Sequence, residues 1–82
     1  MFVYKTKGVC STEIHIDVEN NIIKNVEFIR GCPGNLMGIS YLVKGMEIDE
    51  AINKLKGITC GNKDTSCPDQ LSKALEEYKK IA

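Results

Sequence analysis

The residues best suited to chemistry in this 82-residue chain are its four cysteines, Cys10, Cys32, Cys60 and Cys67. Their spacing matches neither a common zinc-finger pattern nor a ferredoxin pattern. A thiolate sulfur binds zinc or iron–sulfur clusters and exchanges disulfides, whereas a neutral thiol packs as a small apolar group. Two disulfides, a redox pair, packed free thiols and a shared metal site are therefore the alternatives to weigh.

Two of the cysteines share a local context, because Pro33 follows Cys32 and Pro68 follows Cys67. Proline is favoured at the first helical position, so each cysteine is predicted to be the N-cap of a helix. A sulfur there faces unpaired backbone N–H groups and the positive end of the helix dipole, which favour the thiolate that ligates metal. The alternatives are weaker, since the chain has no C-x-x-C redox motif and its start has no signal-peptide pattern. We therefore expect a cytoplasmic, reducing location, in which disulfides are rare and a shared four-thiolate site is favoured.

The elements that must position these sulfurs can be predicted from the spacing of apolar residues. Period-two alternation predicts three strands, over residues 2–7, 12–18 and 22–30. Helical spacing predicts three amphipathic helices, on Leu36 to Val43, Ile48 to Leu55 and Leu71 to Tyr78. The predicted fold class is α+β, a two-layer, three-stranded antiparallel sheet covered by three helices in the order βββααα, as one domain over residues 1–82.

Two details of this fold also follow from the pattern. A three-residue loop over 19–21 would set Val18 beside Ile22 and Ile14 beside Val26, and it is preferred because both pairs are apolar. In the first helix, Leu36, Ile39, Leu42 and Val43 are predicted to form the apolar stripe, with the helix ending at Gly45.

Composition excludes several classes of function. Eleven basic and eleven acidic residues give a formal net charge of zero, which argues against a nucleic-acid binder. The hydrophobic fraction of 43% is too high for a disordered chain. No apolar run approaches the length of a membrane span, so no membrane partner is expected.

The segment Thr65-Ser66-Cys67-Pro68-Asp69 resembles the string after which the TSCPD domain is named. The resemblance covers nearly the whole chain and includes Gly31-Cys32-Pro33-Gly34-Asn35-Leu36 and Cys60-Gly61-Asn62-Lys63. Similar domains end some cobalamin-dependent ribonucleotide reductases, which implies a non-catalytic accessory or regulatory module. The chain is too short for the reductase barrel, so no turnover of its own is expected.

The element order is also similar to that of the IscU/NifU iron–sulfur scaffold proteins. Cys10 opens a strand that alternates as in that family, Gly31-Cys32 follows the next strand, and Cys67 precedes a last helix with an A-L-x-x-Y-K pattern. The segment from Gly45 to Ala51 also matches the family's G-x-x-x-D-E-A stretch. This resemblance implies that Cys10, Cys32 and Cys67 converge on a [2Fe–2S] cluster or zinc.

The departures from the scaffold family concern its ligands. Thr12 stands where the family has an aspartate, Ser66 stands where it has a histidine, and its Pro-rich chaperone segment is missing. Cys60 has no counterpart there, so a fourth thiol is gained where two other ligands are lost. Four thiolates suit zinc or an iron–sulfur cluster and leave no open position for catalysis by zinc.

The other polar residues have simpler interpretations. His15, the only histidine, is predicted to be a solvated strand residue beside Glu13 and Asp17. Asp69 and Gln70 are expected to cap a helix and to interact with its dipole. Lys63, Thr65 and Ser66 lie near two cysteines, where a cation or a hydroxyl could support sulfur, or where they could simply form a turn.

The leading hypothesis is a zinc or iron–sulfur site on Cys10, Cys32, Cys60 and Cys67 that holds or presents its metal to a partner, such as a cluster acceptor protein. The second is an accessory module that acts on a ribonucleotide reductase. The third is a structural protein whose free thiols only pack.

Overall fold

The computed structural model describes residues 1–31 and 33–81. For Pro33 it describes the backbone only. Six elements follow one another: β1 (Phe2–Lys5), β2 (Glu13–Glu19), β3 (Ile22–Ile29), α1 (Pro33–Val43), α2 (Ile48–Leu55) and α3 (Cys67–Ile81). The strands form one antiparallel sheet in the order β1-β2-β3. The predicted α+β class and the order βββααα are therefore confirmed. Within the described residues, no helix is both long enough and apolar enough to cross a membrane.

The hydrophobic core lies between one face of the sheet and the helices. The sheet supplies alternate residues, so Ile14, Ile16, Ile23 and Val26 are all buried. The helices supply the rest, in particular Val43, Ile48, Ala51, Ile52, Leu71, Ala74 and Leu75. Helix α3 also meets β1, where the rings of Phe2 and Tyr78 pack edge to face with centroids 5.7 Å apart. Helix α3 is therefore packed along much of its length, which holds Cys67 at its start in place.

The predicted register of the β2–β3 hairpin is wrong. Glu19 pairs with Ile22, so the turn has two residues, Asn20 and Asn21, with φ angles of 54° and 65°. Asparagine tolerates this left-handed conformation, and such a turn matches the twist of the strands. A register shift between Asp17 and Val18 then places Ile16 opposite Val26. Apolar residues still face each other, but through a tight turn and a bulge instead of a longer loop.

Helix α1 buries a narrower stripe than its sequence predicts. Leu36 and Val43 are buried and Ile39 is half-buried, whereas Leu42 is 73% exposed. Residues 36, 39 and 43 lie close to one line along a helix, and position 42 is turned about 100° from position 43. Gly45, with a φ angle of 90°, follows the helix end where the pattern predicts.

Candidate functional site

The structure places the cysteines in different environments. Cys10 and Cys60 are exposed in loops, and Cys67 is half-buried as the first residue of α3. These three are free thiols. Cys32 lies outside the described residues, and so does its predicted N-cap role, although α1 does begin at Pro33 as the Cys-Pro pattern predicts.

Ser11 is the point at which the cysteine-bearing segments meet. Its Oγ lies 3.3 Å from the Sγ of Cys67, and it directly follows Cys10 in the chain. Gly31, which precedes Cys32, packs against its backbone, because a Cβ at Gly31 would lie 3.3 Å from the Ser11 nitrogen. The segments that carry three of the four predicted ligands therefore come together at one end of the sheet.

The loop that carries Cys10 is fastened at its base. The Thr6 N–H donates to the Thr12 carbonyl at 3.1 Å, and the Thr12 N–H donates to the Ile29 carbonyl at 2.8 Å. The Thr6 hydroxyl donates to the Ser11 carbonyl at 2.5 Å. These bonds fix the backbone at Ser11, so the neighbouring Cys10 has a defined place even though its side chain is exposed.

The cap of α3 differs from the prediction, because Ser66 and not Cys67 is the N-cap. The Asp69 N–H donates to the Ser66 Oγ at 3.2 Å, and the Gln70 N–H donates to the Ser66 carbonyl at 2.8 Å. A hydroxyl oxygen accepts a backbone N–H better than sulfur does, so serine takes the cap. Cys67 thus lies in the first turn, with its sulfur close to Ser11.

The hydroxyls of Thr65 and Ser66, which were predicted as supports for sulfur or as turn residues, are both committed elsewhere. Thr65 donates its hydroxyl hydrogen to Asp69 at 2.6 Å, and Ser66 donates its own to the Ile58 carbonyl at 2.6 Å. Each hydroxyl has only one hydrogen, so neither has a second to give to a sulfur. The turn interpretation is therefore the better one for both residues.

Asp69 is the centre of a buried polar network. One of its carboxylate oxygens accepts the Gly57 N–H at 2.8 Å, and the other accepts the Thr65 hydroxyl and the Lys73 ammonium, the latter at 3.0 Å. Burial by itself raises the pKa of Asp69, but the hydrogen bonds from Thr65, Gly57 and Lys73 outweigh it and hold that pKa below its ordinary value. The hydrogen bond to Asp69, followed by charge attraction, raises the pKa of Lys73. Asp69 is thus a structural carboxylate, but it does not cap α3 as predicted, because its oxygens accept from Gly57, Thr65 and Lys73 and the cap is Ser66.

Gln70 joins the same network to the loop that follows β1. Its side-chain amide donates to the Thr65 hydroxyl at 2.9 Å, and its side-chain oxygen accepts the Lys7 N–H at 3.1 Å. Gly8 lies next to this junction, since a Cβ there would be 3.5 Å from a methyl carbon of Thr65. Sequence reasoning did not find this link between the loop after β1 and α3, which closes over a separation of 63 residues.

The segment that carries Cys60, residues 58–65, is closed by its own bonds. The Cys60 N–H donates to the Thr65 carbonyl at 3.2 Å, and the Lys63 N–H donates to the Cys60 carbonyl at 3.0 Å. At its first end, Ser66 holds the Ile58 carbonyl and Asp69 holds the preceding Gly57; at its last end, the Thr65 hydroxyl donates to Asp69. We call residues 58–65 the Cys60 loop; both of its ends are bonded to the start of α3.

The donor types at this end of the molecule fit a thiophilic metal, because cysteine sulfurs are the ligands of structural zinc and of iron–sulfur clusters. In residues 1–31 and 33–81, no three residues among histidine, cysteine, aspartate and glutamate are grouped closely enough to hold an ion. His15 takes no part, since its ring nitrogen bonds to Glu13 at 2.9 Å on the strand β2. The described part of the site thus supplies suitable donors on segments that meet at Ser11, but the donor atoms themselves are not gathered around one point.

The fold and this end of the sheet define a small α+β domain in which polar bonds fasten cysteine-bearing loops to a helix start. The family model of the TSCPD domain matches residues 2–79, so the chain belongs to the TSCPD domain family. No curated protein and no solved structure matches the chain. The similarity to the IscU/NifU scaffold proteins is not supported by these comparisons and stays a prediction.

Proposed function

We propose that this protein binds zinc or an iron–sulfur cluster through the thiolates of Cys10, Cys32, Cys60 and Cys67, and that it holds or presents the metal to a partner. The observation that carries the proposal is the meeting at Ser11, where Cys67 lies 3.3 Å from the serine hydroxyl and Gly31 packs against its backbone. The segments that carry ligands far apart in sequence have to lie together before those ligands can share one ion.

The start of α3 supports a negatively charged group. In its first turn the N–H groups of Cys67 and Asp69 lack helical partners, Pro68 has no N–H, and the helix dipole adds partial positive charge at this end. Four thiolates keep a net negative charge after they have bound a divalent ion, so Cys67 lies where such charge is stabilised. The capping Ser66 satisfies one of these N–H groups without moving the sulfur from the first turn.

The exposure of two thiols bears on the alternative that the cysteines only pack. Cys10 and Cys60 are exposed, whereas a packed cysteine behaves as a small buried hydrophobe. Packing therefore explains neither residue. Exposed sulfurs at the edge of a site also suit hand-over of a metal to a second protein, such as a cluster acceptor.

The direct test is metal analysis of protein made with zinc and iron supplied and purified without oxygen. We expect a stoichiometric metal that is lost when Cys10, Cys32, Cys60 or Cys67 is changed singly to serine. His15→Ala is the matched control, because it removes a good metal donor that lies outside the proposed site, and its metal content should equal that of the wild type. Iron would also give visible absorption, whereas zinc would not.

Two results would overturn the proposal. Wild-type protein that is folded by circular dichroism, contains neither zinc nor iron and shows four free thiols would exclude a metal-binding function. Metal that stays bound in all four serine variants would show that the cysteines are not its ligands.

A second candidate is an accessory module of a ribonucleotide reductase. The observation that favours it is the exposure of Cys10 and Cys60, since exposed thiols can exchange with those of another protein. The tagged protein should capture the reductase from the same cell, and a Cys10→Ser, Cys60→Ser double variant should capture less. Equal capture by both, or none by either, would count against this role.

A further inference from the structure

Ser11 is a buried polar residue whose side chain faces one of the proposed ligands. It is 2% exposed, and among the described residues its hydroxyl has a single hydrogen-bond partner, the Sγ of Cys67 at 3.3 Å. A buried hydroxyl without a partner would destabilise the fold, so the sulfur is what satisfies it. The sequence singled out other hydroxyls for this task, and those of Thr65 and Ser66 donate to oxygen instead.

The backbone of Ser11, which carries the hydroxyl, is held from two sides. On one side, the Thr6 hydroxyl donates to the Ser11 carbonyl at 2.5 Å. On the other side, Gly31 has a φ angle of 99°, and a Cβ there would lie 3.3 Å from the Ser11 nitrogen and 2.5 Å from a methyl carbon of Leu36. Only glycine allows this approach without a shift of its neighbours. The backbone that carries the hydroxyl is therefore held in place with the hydroxyl beside the sulfur.

The chemistry of the pair sets the direction of the hydrogen bond when a metal is bound. A cysteine that ligates metal has lost its proton, so its sulfur can only accept a hydrogen bond. The serine hydroxyl must then be the donor. Partners of this kind fix the orientation of a ligand, and their removal lowers metal affinity by about 10- to 100-fold.

We infer that Ser11 is a positioning residue of the proposed metal site, whose hydroxyl donates a hydrogen bond to the ligating sulfur of Cys67. This inference rests on the proposed function and adds a residue that does not itself touch the metal. It also explains the contact between Ser11 and Gly31, because the segment before Cys32 then supports the serine that donates to Cys67.

The test compares Ser11→Ala with a matched loss of a buried hydroxyl. Ser72 is also fully buried, and its hydroxyl donates to the Asp69 carbonyl, so Ser72→Ala removes a similar bond that faces no cysteine. Zinc affinity is measured by competition with a chelator, and the thiolate-to-cobalt absorption band is recorded with Co²⁺ in place of zinc. Ser11→Ala should bind zinc about 10- to 100-fold more weakly with a shifted band, and Ser72→Ala should change neither. Ser11→Thr, which keeps a hydroxyl, should restore the wild-type band.

The outcomes separate this inference from the function on which it depends. Wild-type protein that takes up neither zinc nor cobalt would overturn the proposed function and this inference with it. Wild-type protein that binds both, together with a Ser11→Ala variant of equal affinity and unchanged band, would overturn the inference alone. Equal losses in Ser11→Ala and Ser72→Ala would also overturn it, because the effect would then belong to general stability. Circular dichroism and a denaturation curve confirm that each variant is folded.

Discussion

The carboxylate of Asp69 holds the Cys60 loop to α3, and its replacement by asparagine tests this role. Both carboxylate oxygens are used: one accepts the Gly57 N–H, and the other accepts the Thr65 hydroxyl and the Lys73 ammonium. Asparagine has the same shape but offers one oxygen and one NH₂ group. In either orientation of the amide, its NH₂ group must face either the Gly57 N–H or the Thr65 hydroxyl and Lys73 ammonium. A buried donor then faces another donor.

The magnitude follows from the bonds that are lost. A hydrogen bond to a charged group contributes about 1.5–3 kcal/mol, and a buried donor left without a partner costs about 1–3 kcal/mol. The ion pair itself adds little, because the side chain of Lys73 is 47% exposed and solvent screens it. We therefore expect Asp69→Asn to lower the free energy of unfolding by about 3 kcal/mol. In a domain of this size that corresponds to a fall in Tm of roughly 12–24 °C.

The assay is urea denaturation of the metal-free, reduced protein, followed by circular dichroism. Asp49→Asn is the control, because Asp49 also pairs with a lysine of α3, Lys79, but is exposed. Its loss should cost at most about 1 kcal/mol. If Asp69→Asn unfolds within about 0.5 kcal/mol of the wild type, which is the usual range of surface substitutions, the network does not hold the loop as described.

Three further predictions use the same denaturation measurement. Ser66→Ala removes the cap of α3 and should lower the free energy of unfolding by about 1–2 kcal/mol. The control Ser40→Ala, whose hydroxyl only bonds within α1, should change it by less than about 0.5 kcal/mol, and equal effects would contradict the cap. Gly31→Ala should cost about 2–4 kcal/mol, since its φ angle is positive and its Cβ would clash, whereas Gly34→Ala has open space and should cost nothing. The pKa of Asp69 is depressed in the folded state, so its stabilisation is complete at neutral pH and is lost as the pH falls below about 4. That loss should be smaller in Asp69→Asn, and an unchanged pH dependence would refute it.

The fold could be predicted from the sequence because its signals are local. Alternation in β2 and helical spacing in α2 and α3 each act within one element, and the structure confirms them. The register of the hairpin could not be predicted, because a tight turn with a bulge and a longer loop both pair apolar residues. The stripe of α1 was overestimated for a similar reason: Leu42 is apolar, but nothing along the chain shows that it lies outside the core.

The site could be predicted only in its residue types. Cysteine followed by proline predicts helix starts at residues 33 and 68. Helix α1 does begin at Pro33, but α3 begins one residue early, at Cys67, because Ser66 takes the cap. The contact between Ser11 and Cys67 joins residues 56 apart, and it depends on the packing of α3 against the sheet. No local pattern marks Ser11 except that it follows Cys10. Long-range contacts of this kind are set by tertiary structure, so their partners appear only once the elements are assembled.

If Cys60 is a ligand as proposed, the bonds at both ends of the Cys60 loop have a consequence for how the protein would release a metal. The two ends of the loop are fixed to the start of α3, so the sulfur of Cys60 can explore only the small volume allowed by residues 59–64. A short tether of this kind gives an effective concentration in roughly the millimolar range. A partner thiol that displaces Cys60 competes with this local concentration and not with the bulk concentration of protein. An acceptor would therefore take the metal fastest if it first broke the hydrogen bonds of Asp69 or Ser66. The loop would then be free to move, and the Cys60 sulfur would move away from the metal with it.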